Sequence, residues 1–193
     1  PFFYPEVEAA RLVFVDGHFS SALSKIDALP AGVRVGTIAQ LLAEDPKRLE
    51  GRLGTLARPG SHPFVALNTA LFQDGGYVLV EKGVEVDRPL HIVCLATGGG
   101  APIASHPRTV LIAEAGSKAI FMETFAGAGE GASFTNAVTE TWIGAGARVH
   151  HAMIELATLQ AFHMATHQVH LDRGSNLTTH SVSLGGALVR NEL

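Results

Sequence analysis

The chain has 193 residues, 47% of them hydrophobic and only 17% charged, with a net charge of −4. That balance excludes a disordered chain. Scattered Lys and Arg without interleaved aromatics argue against nucleic acid as a partner, and no apolar run approaches the ~20 residues that span a bilayer, so no membrane partner is expected.

In chain order, residues 1–36 read as irregular apart from one short strand. That strand is Arg11-Leu12-Val13-Phe14-Val15, followed by the hairpin dipeptide Asp16-Gly17. Residues 37–54 read as helical. Thr37 can cap Ile38–Leu42, and Asp45-Pro46 joins an N-cap to an N1 proline, with Gly51 or Gly54 ending that second short helix. Ser61 is placed to cap a third helix from His62 to about Gln73, with Phe64, Leu67 and Leu71 on one face. Residues 1–76 are therefore expected to form a cap of one short strand and three short helices, the third covering the open end of the strand-rich remainder of the chain.

From Tyr77 the pattern changes to strands: Tyr77–Val80, a turn at Lys82-Gly83, Pro89–Leu95, a loop at Gly98–Pro102, and coils from about Pro107 onward. The coils carry a repeat. Ala115-Gly116-Ser117-Lys118-Ala119 returns as Ala145-Gly146-Ala147-Arg148-Val149 and, more loosely, as Arg173-Gly174-Ser175-Asn176-Leu177, spaced by 30 and then 28 residues, with Gly83 lying 33 upstream of Gly116. A period near thirty built from Val, Ile, Leu, Thr and Phe predicts a mostly β fold, a right-handed parallel β-helix over residues 77–193. Aligning the coils on their glycines sets His151 beside Phe121 and Thr179, and His180 beside Ala152. The chain stops at Arg190-Asn191-Glu192-Leu193 without a polar cap, so it is expected to be a fragment or to have that end covered by a partner, and an open ladder there predicts a homodimer through the β-helix.

Six of the ten histidines fall between His150 and His180. His150 and His151 are adjacent and point to opposite faces of a strand, while His163 and His167 share a face about 13 Å apart. His170 differs in parity from His167, and no column of histidines forms, so no metal ligand is assigned. The lone cysteine, Cys94, reads as a buried, inert thiol in a reducing, cytoplasmic setting. Glu114, Glu123, Glu140, Glu155 and Asp172 are dispersed, and coil superposition pairs only Glu114 with Asp172, across Gly144. Glu123-Thr124 and Glu140-Thr141 read as exposed strand positions. Gly127-Ala128-Gly129-Glu130-Gly131 lacks the lysine of a phosphate loop and reads as a flexible loop. Arg190, with Asn191 and Glu192, reads as a polar interface or strand edge. No catalytic or cofactor-binding residue is assigned. The residues favour a non-enzymatic scaffold, with a β-solenoid polysaccharide lyase or hydrolase and a weak metal-binding module as alternatives.

Several stretches resemble the SufB/SufD family of iron–sulfur cluster assembly proteins. They are the F-x-x-L-N-x-A core from Phe64 to Ala70, Pro89-Leu90-His91-Ile92, Arg108-Thr109-Val110-Leu111-Ile112, Asn136-Ala137-Val138-Thr139-Glu140 and the closing Gly185–Leu193. Leu12–Gly17 resembles the strand that opens the SufD branch. The resemblance implies a β-helix core and a non-enzymatic role beside SufB-like and SufC-like partners, SufC being the ATPase, with SufD supporting iron entry and cluster building. It implies further coils and a helical SufC-docking region beyond Leu193, where the family's functional His and Cys positions lie. No cofactor is therefore expected on this chain alone; iron or an iron–sulfur cluster belongs to the complex.

Overall fold

The computed structural model describes residues 2–26, 29–98 and 101–193. Its strands are β1 (Ala10–Val15), β2 (His18–Phe19), β3 (Val33–Thr37), β4 (Gly76–Val80), β5 (Leu90–Ala96), β6 (Ile103–Ser105), β7 (Arg108–Ala113), β8 (Lys118–Gly127), β9 (Ser133–Ile143), β10 (Arg148–Leu156), β11 (Ala161–Leu171), β12 (Asn176–Ser183) and β13 (Leu188–Glu192). They form a six-stranded sheet in the order β12-β10-β8-β5-β1-β2 and a seven-stranded sheet in the order β13-β11-β9-β7-β4-β3, with β6 beside β9. Successive coils give one strand to each sheet, and pairing between coils is parallel. This is the β-solenoid read from the repeat.

The glycines of the repeat build one corner of every coil. Gly83, Gly116, Gly146 and Gly174 all have left-handed backbones, with φ between 67° and 71°. Only glycine adopts this freely. The corners are also stitched to one another. Gly83 N donates to Ala115 O, Gly116 N to Ala145 O and Gly146 N to Arg173 O, at 2.9–3.1 Å. The corners set the register: His151 sits between Phe121 and Thr179, and Ala152 lies beside His180. Gly144 serves differently, since a Cβ there would stand 2.6 Å from the Ala115 backbone nitrogen.

The sheets reach back into the segment read as a cap. β1 pairs in parallel with β5, and β3 pairs antiparallel with β4. Residues 10–15 and 33–37 therefore extend the solenoid's sheets. The irregular reading of residues 1–36 missed β3 because its run is short and holds Arg34 and Gly36.

Thr37 caps α1 (Ile38–Glu44) in a capping box with Gln40. Asp45 precedes a short 3-10 turn, Pro46–Leu49, and pairs with Arg48 at 2.7 Å rather than capping the turn. α2 (Pro63–Leu71) is capped by His62, not Ser61, its Nδ1 accepting from Phe64 N.

α2 also turns the other way from the reading. It buries Val65 and Asn68, whereas Leu67 is 37% and Leu71 51% exposed. It lies along the outer face of the seven-stranded sheet, against β9 and β11, and does not plug the end of the solenoid. Phe19, Ile26, Leu29 and Val35 pack against the core where β2 and β3 form the sheet edges. Among the described residues no helix is long and apolar enough to cross a membrane.

The interior changes character along its axis. The early coils fill it with Leu12, Phe14, Val78, Val80, Leu90, Ile92 and Leu111. The later coils bury Glu123, Thr139, Thr141, His151, His163 and His167.

Two glycine substitutions separate the two backbone roles. Gly146→Ala has open space and meets only the left-handed φ, so it is expected to cost about 1–2 kcal/mol in urea unfolding. Gly144→Ala must move the neighbouring coil's backbone and is expected to cost more; equal costs would contradict the distinction.

Candidate functional site

Two buried polar groups stand out, one inside the solenoid and one on its outer face. Inside, β8, β9, β10 and β11 each send alternate residues inward. Glu123 from β8 meets His151 from β10, with Nε2 to Oε2 at 2.9 Å. The Thr139 hydroxyl donates to both Glu123 oxygens, at 2.9 and 3.1 Å. The ring of His167, from the facing sheet, lies 4.5 Å from that of His151, and its Nε2 bonds Thr141 Oγ1 at 2.8 Å. His151 also reaches Thr179 Oγ1 through Nδ1.

Burial pushes the Glu123 carboxyl up, but the hydrogen bond and charge of His151, with His167 and Thr139, outweigh it and hold the group below its usual range. Burial lowers His167 to about 4, aided by His151 and opposed by Glu123. Burial lowers His163 to about 4 as well, again against the pull of Glu123. Glu155 is fully buried; burial raises its carboxyl, and the Ala157 backbone N–H, 2.7 Å away, opposes that shift.

On the outer face, Glu140 accepts four hydrogen bonds: from Gly54 N, Leu56 N, Ala57 N and Arg108 Nη2, at 2.7–3.0 Å. Arg108 goes on to Ala57 O, Thr69 Oγ1 and Asn68 Oδ1. Asn68 Nδ2 donates to Pro107 O and Asn136 O, and Asn136 Nδ2 donates back to Phe64 O. Arg108 and Glu140 are both essentially solvent-free. This clamp fastens α2 and the loop around residues 54–57 to β7 and β9.

The clamp and the interior cluster correct the reading of Glu123-Thr124 and Glu140-Thr141 as exposed positions: all four are buried. The carboxylates are tied into the two clusters, and Thr141 bonds His167. The Thr124 hydroxyl bonds His91 Nε2 beneath the N-terminal segment, where Glu8 takes the other ring nitrogen at 2.9 Å and Tyr4 stacks on the ring.

Of the six histidines, His151, His163 and His167 face inward, whereas His150, His170 and His180 do not join them. Comparing strands within one sheet missed this, because His151 and His167 meet across two sheets. The available signal was shared inward parity: once the coils are aligned, Glu123, His151 and His167 all point to the axis. Among the described residues no three His, Cys, Asp or Glu side chains converge as a metal site. Cys94 is buried, and burial, with the Glu123 charge, pushes its thiol up.

Glu114 and Asp172 do lie in one groove, of about 320 Å³, with Arg52, Lys82, Trp142 and His170. Each carboxylate is already engaged: Glu114 accepts from Lys82 N, and Asp172 bonds His170 Nε2 at 3.1 Å. The Arg52 guanidinium stacks 4.6 Å over Trp142. Arg190 pairs with Glu192, and Asn191 donates to Ser181 and Ser183. Within Gly127–Gly131 the glycines allow close backbone approach, since a Cβ on Gly129 or Gly131 would stand 2.0 Å or less from the carbonyl of Thr97 or Gly98.

Comparison with known proteins places the chain among described relatives. A family model described as the SUF system FeS cluster assembly SufBD core domain matches residues 95–193, and one for the SufBD protein N-terminal region matches residues 4–92. An iron–sulfur cluster assembly SufBD family protein of Synechocystis is 28% identical over the whole chain, which covers 44% of that relative. The Escherichia coli iron–sulfur cluster assembly protein SufD is 26% identical over 96% of this chain and 41% of its own length. The chloroplastic protein ABCI7 of Arabidopsis thaliana is 25% identical over 97% of this chain and 40% of its own. The chain thus spans about two fifths of the length of these curated relatives.

Removing one clamp partner strands the other as a buried charge. Glu140→Gln or Arg108→Met alone is expected to lose about 3–5 kcal/mol in urea unfolding, and the double variant less than the sum of the two; additive losses would contradict direct coupling.

The buried histidines set an acid dependence. The folded pKa values of His163 and His167, about 4, lie below the ordinary 6.5, so between those limits the unfolded chain binds protons that the folded chain refuses. Stability is fully present above pH 6.5 and falls as pH drops toward 4. The depressed Glu123 carboxyl adds a further loss below its ordinary value of 4.5. Urea midpoints measured from pH 7 to pH 4 are expected to fall, and His163→Leu to flatten that slope; a flat wild-type profile would contradict neutral buried rings.

Proposed function

The chain belongs to the SufBD family of iron–sulfur cluster assembly proteins, and from that premise we propose that it is a SufD-like, non-enzymatic scaffold for cluster building. It works beside SufB-like and SufC-like partners, and iron or a nascent cluster is handled by the complex. The relative named as SufD supports this branch of the family.

One observation carries the scaffold reading. The motif residues that mark the family resemblance (Asn68, Arg108, Asn136 and Glu140) bond to one another or to backbone and are sealed from solvent. Side chains committed in this way hold a surface in place and meet no substrate. Thr139, in the same motif, is committed to the interior carboxylate.

The test is anaerobic co-purification of the full natural chain with SufB-like and SufC-like proteins, the mass of the complex being read by light scattering. A defined ternary assembly is expected, with no turnover by this chain alone. No association under those conditions would overturn the partner assignment.

A further inference from the structure

We infer that the solenoid interior holds one ordered water molecule hydrogen-bonded to the imidazole of His163. This ring projects inward from β11 and is 1% exposed. Its Nε2 has no protein partner within hydrogen-bond reach. Native interiors resolve such a group with another polar atom or with water.

The surroundings leave little choice. The ring packs on Phe125, with centroids 4.8 Å apart, so that neighbour is apolar. Beside it lies a cavity of about 10 Å³, walled by residues that include Phe125, Ser133, Thr135, Ala161 and His163. That is room for the centre of one water molecule and for nothing larger.

A buried water needs two to four polar partners. His163 supplies one. Ser133 and Thr135 line the same space, and their hydroxyls can supply the others. Because burial keeps the ring neutral, Nε2 is either a donor or an acceptor, and water can answer both. The water would join the first residues of β9 to β11 at the rim of the interior cluster, a link that direct side-chain contacts do not make.

A crystal structure of the chain at atomic resolution tests this. One solvent peak is expected about 2.7–3.2 Å from His163 Nε2. A dry cavity, or an Nε2 bonded directly to the Ser133 or Thr135 hydroxyl, would overturn the inference. In His163→Leu the peak is expected to disappear, and its persistence would show that other groups hold it. Should that variant fail to fold, water cross-peaks to Thr135 or Ala161 in the NMR spectrum of the unaltered protein decide the matter: long-lived cross-peaks support the site and their absence removes it.

Discussion

The arrangement of this molecule depends on one buried anion. The Glu140 carboxylate is fully buried, and a carboxylate in that position is tolerable only when its lone pairs are filled. Three backbone N–H groups and one guanidinium fill them. The donors come from parts of the chain more than 80 residues away and from the adjacent coil, so satisfying one charge fixes the loop of residues 54–57, α2 and β7 together. An apolar side chain at the same point would pack against α2 without specifying where the loop must lie. The geometric demand of the carboxylate converts a loose covering layer into a fixed one.

A second constraint runs along the solenoid axis. Parallel coils must repeat their register, and the left-handed corners at Gly83, Gly116, Gly146 and Gly174 impose it at each turn. Once register is set, inward positions stack, and a polar residue placed inward has to find its partner in the next coil or across the axis. The group of Glu123, His151, His167, Thr139 and Thr141 is that solution. It contrasts with the mostly apolar filling of the first coils, and it places protonation-sensitive side chains on the axis of the later ones.

The solenoid was legible in the sequence because its corners demand a left-handed backbone, and the glycines that supply it recur every 28 to 33 residues. Helix starts were legible where the capping residue is unambiguous, as at Thr37. The orientation of α2 was not. Phe64, Leu67 and Leu71 have the spacing of a buried stripe, yet the structure spends the buried side on Val65 and Asn68, because Asn68 is needed between Pro107 and Asn136. Periodicity counts apolar residues and is blind to a polar residue whose partners lie forty or seventy positions away. The same blindness hid the clamp. Glu140 and Arg108 look like solvated strand residues until the covering layer is in place, and that layer is a loop without periodic signal. The interior cluster was closer to reach: parity and coil alignment together put Glu123, His151 and His167 on the axis, and only the comparison across the two sheets was lacking.

Amide hydrogen exchange at Gly54, Leu56 and Ala57 tests the central claim most directly. These loop N–H groups have no strand or helix partner and are held by Glu140 alone. The clamp requires them to exchange slowly, at rates comparable to the amides of β9, and to lose that protection in Glu140→Gln. Exchange as fast as in an exposed loop would contradict the account, because the buried carboxylate would then not be what fastens the outer layer to the solenoid.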